Sequence, residues 1–163
     1  MESLLLERGT QDWRDVEALA ALDTPKARAA LRAALENPDH QIRAALARCA
    51  PELIGPQARI ASLVAALEGA DFYGGLTQTL DQVEAFHPPE VIDALFRGVL
   101  ARDGEVAVHF AAMLMFLHGK AGDAFDWEQR PFYLTFHTTK RAEREAAFQQ
   151  LCGKIGVDGS RYL

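Results

Sequence analysis

Proline and aspartate recur along this chain at a spacing that few folds can use. Prolines stand at 25, 56 and 88, separated by 31 and 32 residues, and aspartates at 39, 71 and 103, each 32 apart. Each proline suits the start of a helix, where its missing N–H would go unused anyway. Each aspartate stands just ahead of a further apolar-periodic stretch. Two helices per period predict a stack of helix hairpins, because a lone hairpin cannot bury its apolar face and a neighbour supplies the cover. A bundle of unrelated helices has no reason to keep the period.

The segments between these markers read as helices. Thr10-Gln11-Asp12 opens a first helix over 10–22, with acids where the helix dipole favours them. Thr24 is the expected N-cap and Pro25 the first residue of a second helix over 25–36. Asn37-Pro38-Asp39 breaks it and opens a third, with a stripe of Ile42, Leu46, Cys49 and Leu53. Gly55-Pro56 starts the next, through Ile60, Leu63, Val64 and Leu67 to Gly69. After Asp71 follows a helix carried by Leu76, Leu80, Val83 and Phe86. His87-Pro88-Pro89 opens another through Val91, Ile92, Leu95 and Val99, and Arg102-Asp103-Gly104 separates it from a helix over 105–118. Residues 120–139 read as an aromatic loop and 140–155 as a last helix.

Alanine and leucine outnumber β-branched residues, which favours helix over strand. At 163 residues, 49% hydrophobic and 25% charged, the chain has the size and make-up of one globular domain, here taken as 1–163. Cys49 and Cys152 form no paired spacing and sit in apolar stretches, as buried free thiols of a reducing compartment would. No basic n-region opens the sequence, and no apolar run approaches a membrane span. A cytoplasmic protein without a membrane partner is expected.

The formal charge is −6, which disfavours a general nucleic-acid binder, since such a protein needs a basic face to displace counterions. The acids concentrate in the middle. Residues 71–128 hold ten acids against three bases, a net −7, whereas 1–70 sum to −2 and 129–163 to +3.

The stretch Asn37-Pro38-Asp39-His40-Gln41-Ile42-Arg43-Ala44-Ala45-Leu46 resembles the turn and second helix of a HEAT repeat. Asp103-Gly104-Glu105-Val106-Ala107-Val108 is similar to the same motif with Ala107 in place of the arginine, and Asp71-Phe72-Tyr73-Gly74-Gly75-Leu76 is a divergent copy. The resemblance covers residues 24–118. It implies a right-handed α-solenoid of about three hairpins, with an extra N-terminal helix and a C-terminal aromatic and helical cap over 119–163. The second helices would line a concave side that grips another macromolecule, and Arg43 would make stacking hydrogen bonds. Some small bacterial proteins of this kind are immunity partners of secreted toxins.

Catalytic signatures are missing. The chain has no nucleophile elbow, no phosphate-binding glycine loop and no HExxH. Gly74-Gly75 lacks the lysine of a phosphate loop and reads instead as a place where helices approach closely. Glu105 and His109 share a helix face, with His118 near it, but two or three such groups without short ligand spacing do not make a zinc site. No metal and no cofactor are expected.

Gln78, Asp81, Gln82 and Glu84 fall off the apolar side of the middle second helix, where a concave surface would display them. Together with Asp71, Glu105 and His109 they are the candidate partner-binding residues; ordinary solvated polarity is the competing reading. The helix over 106–118 is apolar all round and needs cover. Phe125, Trp127, Phe132, Tyr133 and Phe136 can supply it as an end cap, or form an aromatic interface.

The function expected is non-enzymatic protein binding. The leading reading is an immunity-type inhibitor, monomeric when free, that neutralises a cognate secreted toxin with a basic surface. A scaffold or assembly protein is the alternative, and a HEAT-like DNA-repair enzyme a remote one, because the acids come without a basic groove.

Overall fold

Local capping chemistry decides where several helices of the first half begin. In the computed structural model, which describes residues 2–163 (of Glu2 and His40, the backbone alone), ten α-helices and several short helical turns are present and the described residues contain no strand. The chain is all-α. No helix among the described residues is long and apolar enough to cross a membrane. The chain clusters into two compact units, 1–63 and 64–163.

The first unit holds α1 (Glu2–Arg8), α2 (Trp13–Leu22), α3 (Pro25–Ala33) and α4 (His40–Cys49). Asp12 caps α2 by accepting from the Arg14 and Asp15 amides, and Asp15 reaches back to the Asp12 amide, so two otherwise orphaned donors are satisfied reciprocally. Thr24 caps α3 through the Ala27 amide with Pro25 in the first turn. Asp39 caps α4 through the Gln41 amide. The apolar faces meet in one cluster that includes Val16, Leu19, Leu31, Ile42 and Leu46.

Three details depart from the sequence reading. Residues 2–8 form a helix, α1, which packs on α2 and α3. Leu53 lies past the end of α4 in a separate turn, Pro51–Leu53. Arg43 is exposed, and the pairing between α4 and α2 is made by Arg48 to Glu17.

α5 (Pro56–Glu68) carries the chain past residue 63. The second unit continues with α6 (Leu76–Ala85), α7 (Pro89–Ala101), α8 (Gly104–Leu117), α9 (Arg130–Tyr133) and α10 (Arg141–Ile155). α7 and α8 form a tight antiparallel pair around Gly98, where a Cβ would meet the Phe110 ring at 2.5 Å. α8 is buried nearly all round from Val106 to Met115, with His109 the interruption. Its cover comes from α10 and from the aromatic segment, in which Tyr133 and Phe136 are fully buried.

That segment is more regular than a loop. Residues 127–136 run through a turn at Trp127–Gln129 capped by Asp126, then α9 with Pro131 in its first turn, and a turn at Leu134–Phe136, with Tyr133 and Phe136 buried. Two arginines close helix ends. Arg102 donates to the carbonyls of Glu68, at 2.8 Å, and Ala70 just past the end of α5. The buried Arg144 donates to Leu100 near the end of α7, at 2.9 Å, and to Thr138 at 2.6 Å. Carbonyls at a helix C-terminus lack helical partners and sit at its negative pole, so a guanidinium satisfies both needs.

Candidate partner-binding surface

The turn at 71–75 is where chemistry gathers. Asp71 does not cap α6, as its counterpart Asp39 caps α4. It accepts from the Tyr73 amide at 2.9 Å and closes a turn of its own. Helix α6 begins five residues later behind Gly75, whose φ of 95° is a left-handed conformation that favours glycine. Gly75 therefore serves the turn rather than a close helix approach, and Gly98 is the glycine that permits one. With no helical period to bury them, Phe72 and Tyr73 are left on the surface, Tyr73 with 94% of its area exposed.

This turn faces the link between α7 and α8 across a cleft of about 590 Å³. Its walls include Asp71, Phe72, Tyr73, Asp103, Glu105 and Arg102. The Asp103 side chain makes no capping bond to α8, although it occupies the cap position. Arg102 is held by the carbonyls of Glu68 and Ala70. Three carboxylates thus share the cleft with one guanidinium whose hydrogen bonds are directed elsewhere. Glu105 also lies 3.9 Å from the exposed His137.

From the cleft a ladder of rings crosses the unit. Tyr73 meets Phe72 edge-on at 5.1 Å, Phe72 lies 6.0 Å from His109, and His109 lies 4.8 Å from Phe125. Phe125 in turn meets Trp127 at 5.6 Å and the buried Tyr133 at 5.4 Å. Trp127 is 72% exposed, with the Arg130 guanidinium 5.5 Å above its ring. Both ends of the ladder therefore reach solvent, while its middle is anchored in the fold.

His109 is half-buried in this ladder. Burial pushes its pKa below the ordinary 6.5, with Glu105 opposing, so the ring is neutral at pH 7. Burial, assisted by Asp126 and Asp123, pushes the Tyr133 phenol up to about 12. His118 and His87 serve local structure. His118 does not share the His109 surroundings: it packs edge-on to Phe96, with Nδ1 2.7 Å from the Leu114 carbonyl. His87 Nδ1 lies 3.0 Å from the Val83 carbonyl at the end of α6. Among the described residues no three His, Cys, Asp or Glu side chains converge as metal ligands. Cys49 and Cys152 are free thiols raised by burial above the usual range.

The seven residues singled out in the sequence divide in two. Asp71 and Glu105 line the cleft, and His109 joins it through Phe72. Gln78, Asp81 and Glu84 are exposed on α6 outside the cleft, and Gln82 is half-buried with its amide donating to the Gln78 carbonyl. Phe72, Tyr73 and Asp103 were not singled out. Two adjacent rings in a glycine turn, outside any helical period, were the available signal. The aromatic segment divides as well: Tyr133 and Phe136 cover α8, whereas Trp127 projects from it.

The chain matches no protein-family model, and no characterised protein and no solved structure is significantly similar to it.

Proposed function

We propose that this chain is a non-enzymatic protein-binding module that holds a partner with a basic surface. The observation that carries the reading is the open acidic cleft at Asp71, Asp103 and Glu105, bordered by the exposed rings of Phe72 and Tyr73. Exposed aromatic rings bordered by a net excess of one sign of charge, here three carboxylates to one guanidinium, are suited to a protein partner of the opposite sign. The exposed Asp81 and Glu84 of α6 extend the same sign, and a field of this kind speeds encounter with a cationic target.

The specific form we favour is an immunity-type inhibitor that neutralises a cognate secreted bacterial toxin in the cytoplasm of the cell that makes it. The architecture we assign is a solenoid of HEAT-like hairpins. Arg102 and Arg144 support it, because they reach to the carbonyls of Glu68 and Leu100, which stand 32 residues apart near the ends of α5 and α7. A repeating stack would use one such tie at each step.

Reversing charge on α6 tests the acidic-face reading. The double variant Asp81→Lys/Glu84→Lys should weaken binding to the cognate toxin by on the order of a hundredfold at low salt, chiefly through slower association. Unchanged affinity would show that the partner does not read this face. A toxin gene beside the gene for this chain supports inhibition; a housekeeping operon supports a scaffold instead.

A further inference from the structure

We infer that the ring ladder from Tyr73 to Trp127 is the centre of the interface, and that it receives arginine side chains from a segment of the partner protein. The inference rests on the protein-binding reading above and names the chemistry the partner must bring.

Large rings left in solvent cost hydrophobic free energy, and here they are placed in series rather than scattered. Phe72, Tyr73 and Trp127 are half of the exposed large hydrophobic side chains among the described residues, and ring contacts through His109 and Phe125 join all three. The middle of the ladder is fixed by the buried Tyr133, so its exposed ends are presented with little entropy left to lose on binding. Tyrosine and tryptophan in that setting are the residues that most often carry binding energy.

Charge selects the occupant. Asp71, Asp103 and Glu105 lie at the Tyr73 end, and Asp123 and Asp126 lie near Tyr133 toward the other end. Carboxylates beside ring faces repel phosphates and carboxylates and attract cations. Arginine fits better than lysine, because a planar guanidinium stacks on a ring while its N–H fork reaches a carboxylate. Arg130 over Trp127 is the same contact made within the chain.

The test uses the full-length protein and two peptides of equal charge, hexa-arginine and hexa-lysine, titrated by calorimetry at low salt. Hexa-arginine should bind about tenfold or more tighter than hexa-lysine, and Tyr73→Ala and Trp127→Ala should each weaken it about tenfold. Both side chains are so exposed that their removal leaves the fold in place, which circular dichroism checks. Equal affinities for the two peptides, no binding of hexa-arginine, or binding indifferent to both ring substitutions would overturn the inference. The Asp81→Lys/Glu84→Lys variant separates it from the acidic-face reading. If that variant keeps the arginine preference and still binds the toxin, the α6 face fails and the ladder stands. If it abolishes binding that never distinguished arginine from lysine, the ladder fails and the acidic face stands.

Discussion

Replacing Gly98 with alanine should destabilise the protein, against the usual trend for a glycine inside a helix. In α7 the substitution would ordinarily gain about 1 kcal/mol from reduced backbone entropy in the unfolded chain. Here the new Cβ would meet Phe110 Cδ2 and Cε2 at 2.5 Å. Carbon atoms rest about 3.5–4.0 Å apart, so the ring must recede by about 1 Å. Phe110 is fully buried, as are Ala111, Ala112 and Leu114 on the same helix, so the ring has no solvent to move into. Overpacking of this kind costs about 1–3 kcal/mol, and for a ring that must move by about 1 Å the upper part of that range applies, so the net loss should be up to about 2 kcal/mol. The partner substitution makes the cause visible. In a Phe110→Val background, which has no δ or ε carbons, the clashing atoms are gone, and Gly98→Ala should then stabilise by about 0.5–1 kcal/mol. Urea unfolding of the four members of the cycle supplies the assay, followed by Trp127 fluorescence in a Trp13→Phe background. Gly98→Ala that stabilises the chain with Phe110 present, or a coupling below about 0.5 kcal/mol, would refute the close-packing account.

Two further predictions concern protons. Asp15 is buried, which alone would raise its pKa, but hydrogen bonds from the Asp12 and Gln11 amides and from Arg8 outweigh burial and hold the group below its ordinary 3.8. Its ionised form is therefore favoured by folding: the contribution is fully present above pH 3.8 and is lost as pH falls through the lower folded value. Asp15→Ala should cost about 1–3 kcal/mol at neutral pH in urea melts, with wild type and variant converging in strong acid. A constant difference down to acid would contradict the assignment. For His109 the folded pKa is depressed, so the unfolded chain takes up its proton first. Stability should be flat above the ordinary 6.5 and fall as pH drops below it, and His109→Gln should remove that slope between about pH 7.5 and about pH 5.5. A variant with an unchanged slope would place the titrating group elsewhere.

The elements that were legible in the sequence are those with local chemistry at their ends. Thr24-Pro25, Asn37-Pro38-Asp39 and His87-Pro88-Pro89 each mark a helix start within a residue or so. The aspartate period was legible as a pattern, yet its members do different work. Asp39 caps α4, Asp103 stands at the cap of α8 without bonding to it, and Asp71 closes a separate turn. Only three-dimensional context decides among those roles. Residues 127–136 escaped because three elements of three or four residues each are too short to carry a periodic stripe, although Asp126 and Pro131 mark their starts. Asp71, Glu105 and His109 were legible as a surface. Phe72 and Tyr73 were not, since residues left exposed obey no pattern of burial. The arginine ties escaped as well, because a bond from Arg144 to Leu100 joins positions that sequence spacing does not connect.

We propose that this chain binds one basic protein through its acidic, aromatic surface. The most direct measurement is a pull-down with the tagged protein from its native cell lysate, eluted with a salt gradient, followed by titration of what elutes against the wild-type and charge-reversed proteins. One stoichiometric basic protein should be released by salt, its activity blocked by the wild type and much less by Asp103→Lys/Glu105→Lys, which reverses charge in the cleft itself. Acidic or neutral partners held regardless of salt, or a basic partner blocked equally by both forms, would contradict it.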